Sequence, residues 1–144
     1  MEPGSERQRD VNTLTNPLVV IVDDEPSIVE VVCTTLEESG ISALGCTKAP
    51  EAFWFIGRYH PKLVILDVQM PGVDGIQLFE QLRADPFLAQ TAVIFLTANS
   101  HIITRELPNY AERGAALIEK PFDLTMLLHV VHEALATSRE FPDR

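Results

Sequence analysis

Three continuous apolar runs constrain this chain more than any other feature: LVVIV at 18–22, LVIL at 63–66 and AVIFL at 92–96. Each is short, rich in β-branched residues and free of apolar–polar alternation. Such a run suits a strand buried on both faces, and strands of that kind occur in parallel sheets covered by helices. ISALGC at 41–46 and ALI at 116–118 are weaker candidates that bring the set to five.

Helical patterns lie between the runs. Pro26 to Ser39 places Ile28, Val31, Val32 and Leu36 on one face, and Gly40 closes it. Pro26 fits the first turn, where its missing N–H costs nothing. Helices are also predicted over Pro50–Arg58 and Gly75–Ala84. A last one runs from Leu124 to Ala136, where Leu124, Leu127, Leu128, Val131 and Leu135 recur at helical spacing. Strands alternating with helices predict an α/β fold: a single doubly wound five-stranded parallel sheet flanked by helices. With 144 residues the chain has room for one such domain and not comfortably for two. We expect a polar, flexible N-terminal extension over 1–16, the folded domain over 17–137, and a tail over 138–144.

Ligands of doubly wound sheets bind outside the carboxyl ends of the strands. Each run here delivers a polar group to that edge. The first ends in Asp23-Asp24, with Glu25 after it, the third in Asp67, the fourth in Thr97, followed by Ala98, and the fifth in Glu119-Lys120-Pro121. Clustered carboxylates repel, and one takes a raised pKa unless a cation neutralises them. Hard oxygen ligands with open positions suit Mg²⁺, completed by water and phosphate oxygens. Lys120 can neutralise a second phosphoryl oxygen and Thr97 can donate to a third. Asp67 is central and is the nucleophile of choice, since carboxylates form aspartyl-phosphates.

VDDEPS at 22–27, LDVQMPGVDG at 66–75, TA at 97–98 and EKPF at 119–122 stand in order, each at a strand end. Through these motifs the chain resembles the receiver domains of two-component response regulators, from about Leu18 to Ala136. The resemblance implies a flavodoxin-like sheet with strand order 2-1-3-4-5. It implies that Asp67 accepts a phosphoryl group from the phosphohistidine of a sensor histidine kinase or histidine phosphotransfer protein. Asp24 and Asp67 would bind Mg²⁺ directly with the backbone carbonyl of Gln69, and Asp23 through water. Thr97, followed by small Ala98, would bond the phosphoryl group and re-orient, while Lys120 pairs with it. The Lys120–Pro121 peptide would be cis. Gln69 and Asn99 would line the path of the hydrolytic water and tune phosphoryl lifetime. The expected protein is a stand-alone cytoplasmic switch or relay acting on another, unspecified protein, as a monomer or weak dimer. Its only chemistry would be self-directed phosphoryl transfer and autodephosphorylation.

Two departures from the family pattern stand out. Leu117 occupies the position, three before the lysine, where many members carry a switching Tyr or Phe. Pro108 interrupts the segment between the fourth and fifth strands, where an interior proline costs about 3 kcal/mol or more. We therefore expect an irregular stretch to about Leu107 and a short helix with Pro108 in its first turn.

Several classes are excluded or demoted. Asp plus Glu is 21 against 11 Lys plus Arg, a net charge of −10, with no basic stripe, which disfavours direct nucleic-acid binding. No apolar stretch approaches membrane-spanning length. Cys33 and Cys46 lack metal-ligand spacing and read as reduced thiols. His129 and His132 read as surface histidines, Asp74-Gly75 as a helix start, and Trp54 as pointing partly outward. An Mg²⁺-dependent phosphatase with an aspartyl-phosphate intermediate is the enzymatic rival, but such nucleophiles resemble DxD and Asp67 is followed by Val68-Gln69. A binding module with a vestigial acid site is the other rival, against which the complete residue set argues.

Overall fold

The computed structural model describes residues 18–138. The expected extension over 1–16 and the tail from 139 onward lie outside the described residues. In chain order the elements are β1 (Leu18–Val22), α1 (Pro26–Glu38), β2 (Ser42–Cys46), α2 (Ala52–Tyr59), β3 (Leu63–Asp67), β4 (Gln69–Met70), β5 (Val73–Asp74), α3 (Gly75–Ala84), β6 (Ala92–Thr97), α4 (Ser100–Glu106), β7 (Ala115–Glu119) and α5 (Leu124–Ser138). Five strands form one parallel sheet in the order β2-β1-β3-β6-β7. Counting those five alone, this is the order 2-1-3-4-5. β4 and β5 form a separate two-stranded antiparallel hairpin that the sequence reading did not anticipate.

The continuous apolar runs are continuous because both sheet faces are covered. Successive strand residues point to opposite faces. Val20, Val22, Val64, Leu66, Val93 and Phe95 pack with Ile56, Phe79, Leu82 and Ile103 of α2, α3 and α4. Val19, Ile21, Leu63, Ile65, Ile94 and Leu96 pack with Val32 and Leu36 of α1 and Leu127, Val131 and Leu135 of α5. Cys46 belongs to the first cluster and Cys33 borders the second, so the sheet separates the two free thiols.

Two sequence readings need correction. Val31 was placed on the buried face of α1, yet it is 39% exposed; Val32 and Leu36 carry the burial there, with Ile28 partly covered. Residues before Leu107 were expected to be irregular, yet Ser100–Glu106 is helical, and no helix starts at Pro108. Proline restricts the residue before it as well as itself. Leu107 accordingly leaves helical geometry at φ −139°, and the turn following Pro108 leads into a single 3-10 turn at Ala111–Arg113. The proline ends a helix without abolishing the turns upstream of it.

Candidate functional site

The site begins where three strands stop. β1 runs directly into Asp23, which is fully buried, and β3 ends on Asp67, which is 6% exposed. Asp23, Asp24 and Asp67 each offer a carboxylate oxygen, and the three oxygens lie within 4.8 Å of one another. Lys120, just past β7, supplies the cation. Its Nζ lies 2.9 Å from Asp23 Oδ2, 3.5 Å from Glu25 Oε1 and 3.6 Å from Asp67 Oδ2. The shortest contact meets Asp23 Oδ2, which is otherwise without a partner among the described residues.

Backbone geometry holds these groups in place. Asp23 Oδ1 accepts from the N–H of Glu25 at 2.9 Å, and Asp67 Oδ1 accepts from the N–H of Gln69 at 3.3 Å. Neither Asp23 nor Asp24 caps α1, whose N-cap is Glu25 without a side-chain bond. Helix capping therefore does not account for this acidic run. Asp74, in contrast, caps α3 by accepting from the N–H of Ile76 at 2.9 Å. The next residue must be glycine: a Cβ on Gly75 would lie 2.4 Å from the carbonyl oxygen of Asp67. The N–H of Gly75 donates to the carbonyl of Val68 at 2.8 Å, so α3 starts against the backbone that carries the central carboxylate.

Thr97 is fully buried at the end of β6. Its Oγ1 accepts from the N–H of Asn99 at 3.0 Å, which leaves its own O–H free to donate. Its carbonyl accepts from the N–H of Lys120 at 2.8 Å, which ties the threonine to the lysine across the β6–β7 edge. Ala98 and Asn99 are exposed beside it, and Asn99 caps α4 by accepting from the N–H of His101 at 3.2 Å. Gln69 is exposed on the hairpin, and the Lys120–Pro121 peptide is cis. The fold thus gathers Asp23, Asp24, Asp67, Gln69, Thr97, Ala98, Asn99, Lys120 and Pro121 at one edge. Leu117 is half-buried in β7, and His129 is exposed with Glu133 3.2 Å away. Trp54 is 78% exposed.

The sequence reading left Glu25 out of the site, although its carboxylate reaches Lys120. The signal available was its place as the third acid of a run that ends at a helix start. Ser100 was also missed: its hydroxyl donates to Glu119, linking the start of α4 to the end of β7.

The electrostatics are unbalanced. Burial pushes the Asp67 carboxyl up to about 6, and the Asp23 charge adds to the push. Lys120 and the Gln69 N–H oppose it without cancelling it. Burial works against the Lys120 ammonium, but Asp23, Asp67 and Glu25 together hold it above its ordinary range. Several carboxylates share one ammonium, and a further cation is what the cluster lacks.

A family model of the response regulator receiver domain matches residues 19–132. The chain belongs to that family. The response regulator Rre1 of Synechocystis sp. is 36% identical over 126 residues, covering 87% of this chain and 54% of that protein. The DNA-binding dual master transcriptional regulator RpaA of Synechocystis sp. is 28% identical over 126 residues, covering 88% and 52%. The chain therefore spans about half the length of these curated relatives. The solved receiver domain of the Francisella response regulator 1452 superposes with a TM-score of 0.74 at 28% identity, covering 85% of this chain and 99% of that one. The chemotaxis response regulator CheY4 of Vibrio cholerae shares the fold, with a TM-score of 0.73, 24% identity and coverage of 83% and 98%. Receiver domains are signalling switches of two-component systems that typically bind Mg²⁺ at an acidic pocket and engage histidine kinases and downstream targets. Among the described residues of this receiver, no helix is long and apolar enough to cross a membrane.

Proposed function

We propose that this receiver takes a phosphoryl group onto Asp67 from the phosphohistidine of a sensor histidine kinase or histidine phosphotransfer protein. The observation that carries this reading is the trio of carboxylates within 4.8 Å, with Lys120 3.6 Å from Asp67. In the transfer a carboxylate oxygen of Asp67 forms a bond to phosphorus as the histidine nitrogen–phosphorus bond breaks. The imidazole leaves with the bonding pair. Asp67 must be ionised to attack, and near neutral pH it is, since its pKa of about 6 still lies below.

The donor set fits Mg²⁺. All three groups are hard oxygens, and their summed charge exceeds that of the one lysine against them. Asp24, Asp67 and the Gln69 carbonyl would hold the ion, with Asp23 acting through water; the ion would supply positive charge against the phosphoryl oxygens. Lys120 then neutralises another phosphoryl oxygen as its contact to Asp67 gives way. Thr97 has a free O–H for a third, so phosphorylation would re-orient a buried hydroxyl. That movement would shift an existing equilibrium between two conformations, and another protein would read the result. The chemistry is confined to gaining and losing this group.

Intact-mass spectrometry after incubation with a small phosphodonor and Mg²⁺ tests the reading. Wild type should gain one phosphoryl group, lost when Mg²⁺ is omitted and in Asp67→Asn. Failure with both the small donor and a phosphorylated histidine donor would overturn the proposal. Turnover of a generic phosphate monoester would point instead to the phosphatase class.

A further inference from the structure

Beside the candidate site, and sharing only Gln69 with it, lies a groove. It has a volume of about 580 Å³ and runs between the β4–β5 hairpin and α4. Met70 is buried in its floor, and half-buried Val73 and Ile102 form its walls. Gln69, Asp74 and Glu106 are exposed along it. The ionisable residues of the lining are both acids; no Lys, Arg or His lines it.

Local structure explains how the groove arises. In the hairpin Met70 pairs with Val73 and Gln69 with Asp74, so apolar neighbours face apolar ones and Asp74 stands beside Gln69. Gly72 makes the tight turn between the strands at φ +79°, a conformation that suits glycine. Across the groove, Ile103 anchors α4 in the core while Ile102 faces the opening. α4 ends at Glu106 because Leu107 precedes Pro108, and that places the second carboxylate at the helix end. Asp74 uses Oδ1 to cap α3. Among the described residues Glu106 forms an ion pair with its exposed neighbour Arg105 alone, at 3.3 Å. Exposed pairs of that kind are weak and exchange readily for another cation.

We infer that this groove docks a segment of a partner protein that presents an apolar side chain next to a Lys or Arg. Charge complementarity selects the occupant: an apolar trough flanked by two carboxylates repels acidic chains and leaves a purely polar chain nothing to bury against Met70, Val73 and Ile102. The groove wall is continuous with the backbone of Asp67 through Val68, and Gly75 locks that backbone to α3. An occupant would therefore sit beside the acceptor loop without touching the acceptor carboxylate. The inference does not rest on the phosphoryl-transfer reading, since the groove is formed without it.

The test uses the full ¹⁵N-labelled chain and capped tripeptides as probes: Lys-Leu-Lys, with Glu-Leu-Glu and Lys-Gly-Lys as comparators. Lys-Leu-Lys, at up to about 10 mM, should shift the amides of Met70, Val73, Asp74, Ile102 and Glu106 as one cluster. Glu-Leu-Glu and Lys-Gly-Lys should each bind about tenfold more weakly, the first for charge and the second for lost apolar burial. The double variant Asp74→Asn, Glu106→Gln should weaken Lys-Leu-Lys about fivefold or more, and asparagine preserves the α3 cap. Ile102→Ser should weaken it as well with Glu106 still present. The same titration on Asp67→Asn should leave the affinity within about twofold, which separates this inference from failure of the phosphorylation proposal. Shifts centred on another surface, equal binding of the acidic peptide, or no shift at all would overturn it.

Discussion

At the carboxyl edge of the sheet, Asp23 and Asp67 lie buried with a single lysine between them. At the opposite edge, Arg83 and Arg113 both stack on the ring of Phe79, 4.7 and 5.1 Å from its centroid. The second cluster is met mostly from within the fold, with one buried nitrogen, Arg83 Nη1, lacking a hydrogen-bond partner among the described residues. Arg83 Nε donates to the carbonyl of Arg113 at 2.8 Å and Nη2 to that of Gly114 at 3.3 Å. Arg113 takes both carboxylate oxygens of Glu80, at 3.0 and 2.7 Å. That bond holds the Glu80 carboxyl below its ordinary range, whereas burial and Asp23 push Asp67 up to about 6. Arg83 is under comparable strain, lowered to about 10 by burial and then by Arg113. A guanidinium can spread its donors over backbone carbonyls that the fold already supplies. Carboxylates gathered beside one ammonium have no such outlet, and the excess charge makes the carboxyl edge the one suited to recruit a cation.

The largest expected effect breaks the carboxyl edge sterically. Gly75→Ala puts a Cβ against two backbone atoms that cannot move independently, Asp67 O at 2.4 Å and Val68 Cα at 2.8 Å. Urea denaturation should show a loss of about 3 kcal/mol or more. The next effect tests the charge excess. Raised above the ordinary 3.8, the Asp67 pKa means that the folded state holds this proton more tightly than the unfolded chain. Its contribution is therefore most favourable at low pH and is lost as pH rises from about 4 through about 6. Without divalent cation, Asp67→Asn should stabilise the fold by about 1–3 kcal/mol above that window and by little below it. Urea melts at several pH values would show this, and an effect independent of pH would refute the charge argument.

At the other edge, Arg83→Ala should cost about 1–3 kcal/mol by removing the stack on Phe79 and leaving the Arg113 carbonyl without its donor, while the Gly114 carbonyl keeps the N–H of Val93. Arg83→Met should recover part of that loss, because it restores bulk without a buried charge. Full recovery would mean that packing, and not the hydrogen bonds, holds this corner. The smallest effect is Glu80→Gln, expected below about 1 kcal/mol and shrinking with added salt, since the Glu80 side chain is half exposed. Thermal melts at two ionic strengths measure it. A larger loss there than for Arg83→Ala would mean that the exposed ion pair, and not the buried guanidinium, holds this edge.

The sheet was readable because runs such as LVIL at 63–66 meet apolar neighbours on both faces, and that requirement is written locally. The edge to which the polar groups go was readable for a related reason: a strand that ends in an acid can only place it at its tip. What remained hidden depends on neighbours distant in the chain. Val31 and Val32 are equivalent as apolar residues, and only how α1 packs against the sheet and α5 decides that Val32 is covered. The nearest carboxylate to Lys120 is Asp23 and not Asp67, a choice set by how β1, β3 and β7 align. The hairpin at Gln69–Asp74 was invisible because two-residue strands leave no periodicity.

The sequence by itself determined the order of the sheet strands, the parallel sheet, the edge that carries the acids and that no helix runs through Pro108. Those follow from apolar period and backbone stereochemistry, which act over a few residues. Only the tertiary structure decided which acids are buried, that Asp67 carries the raised pKa, and that an acidic, apolar groove opens between the hairpin and α4. Desolvation and charge coupling depend on distances between residues far apart in sequence, and only packing sets those distances.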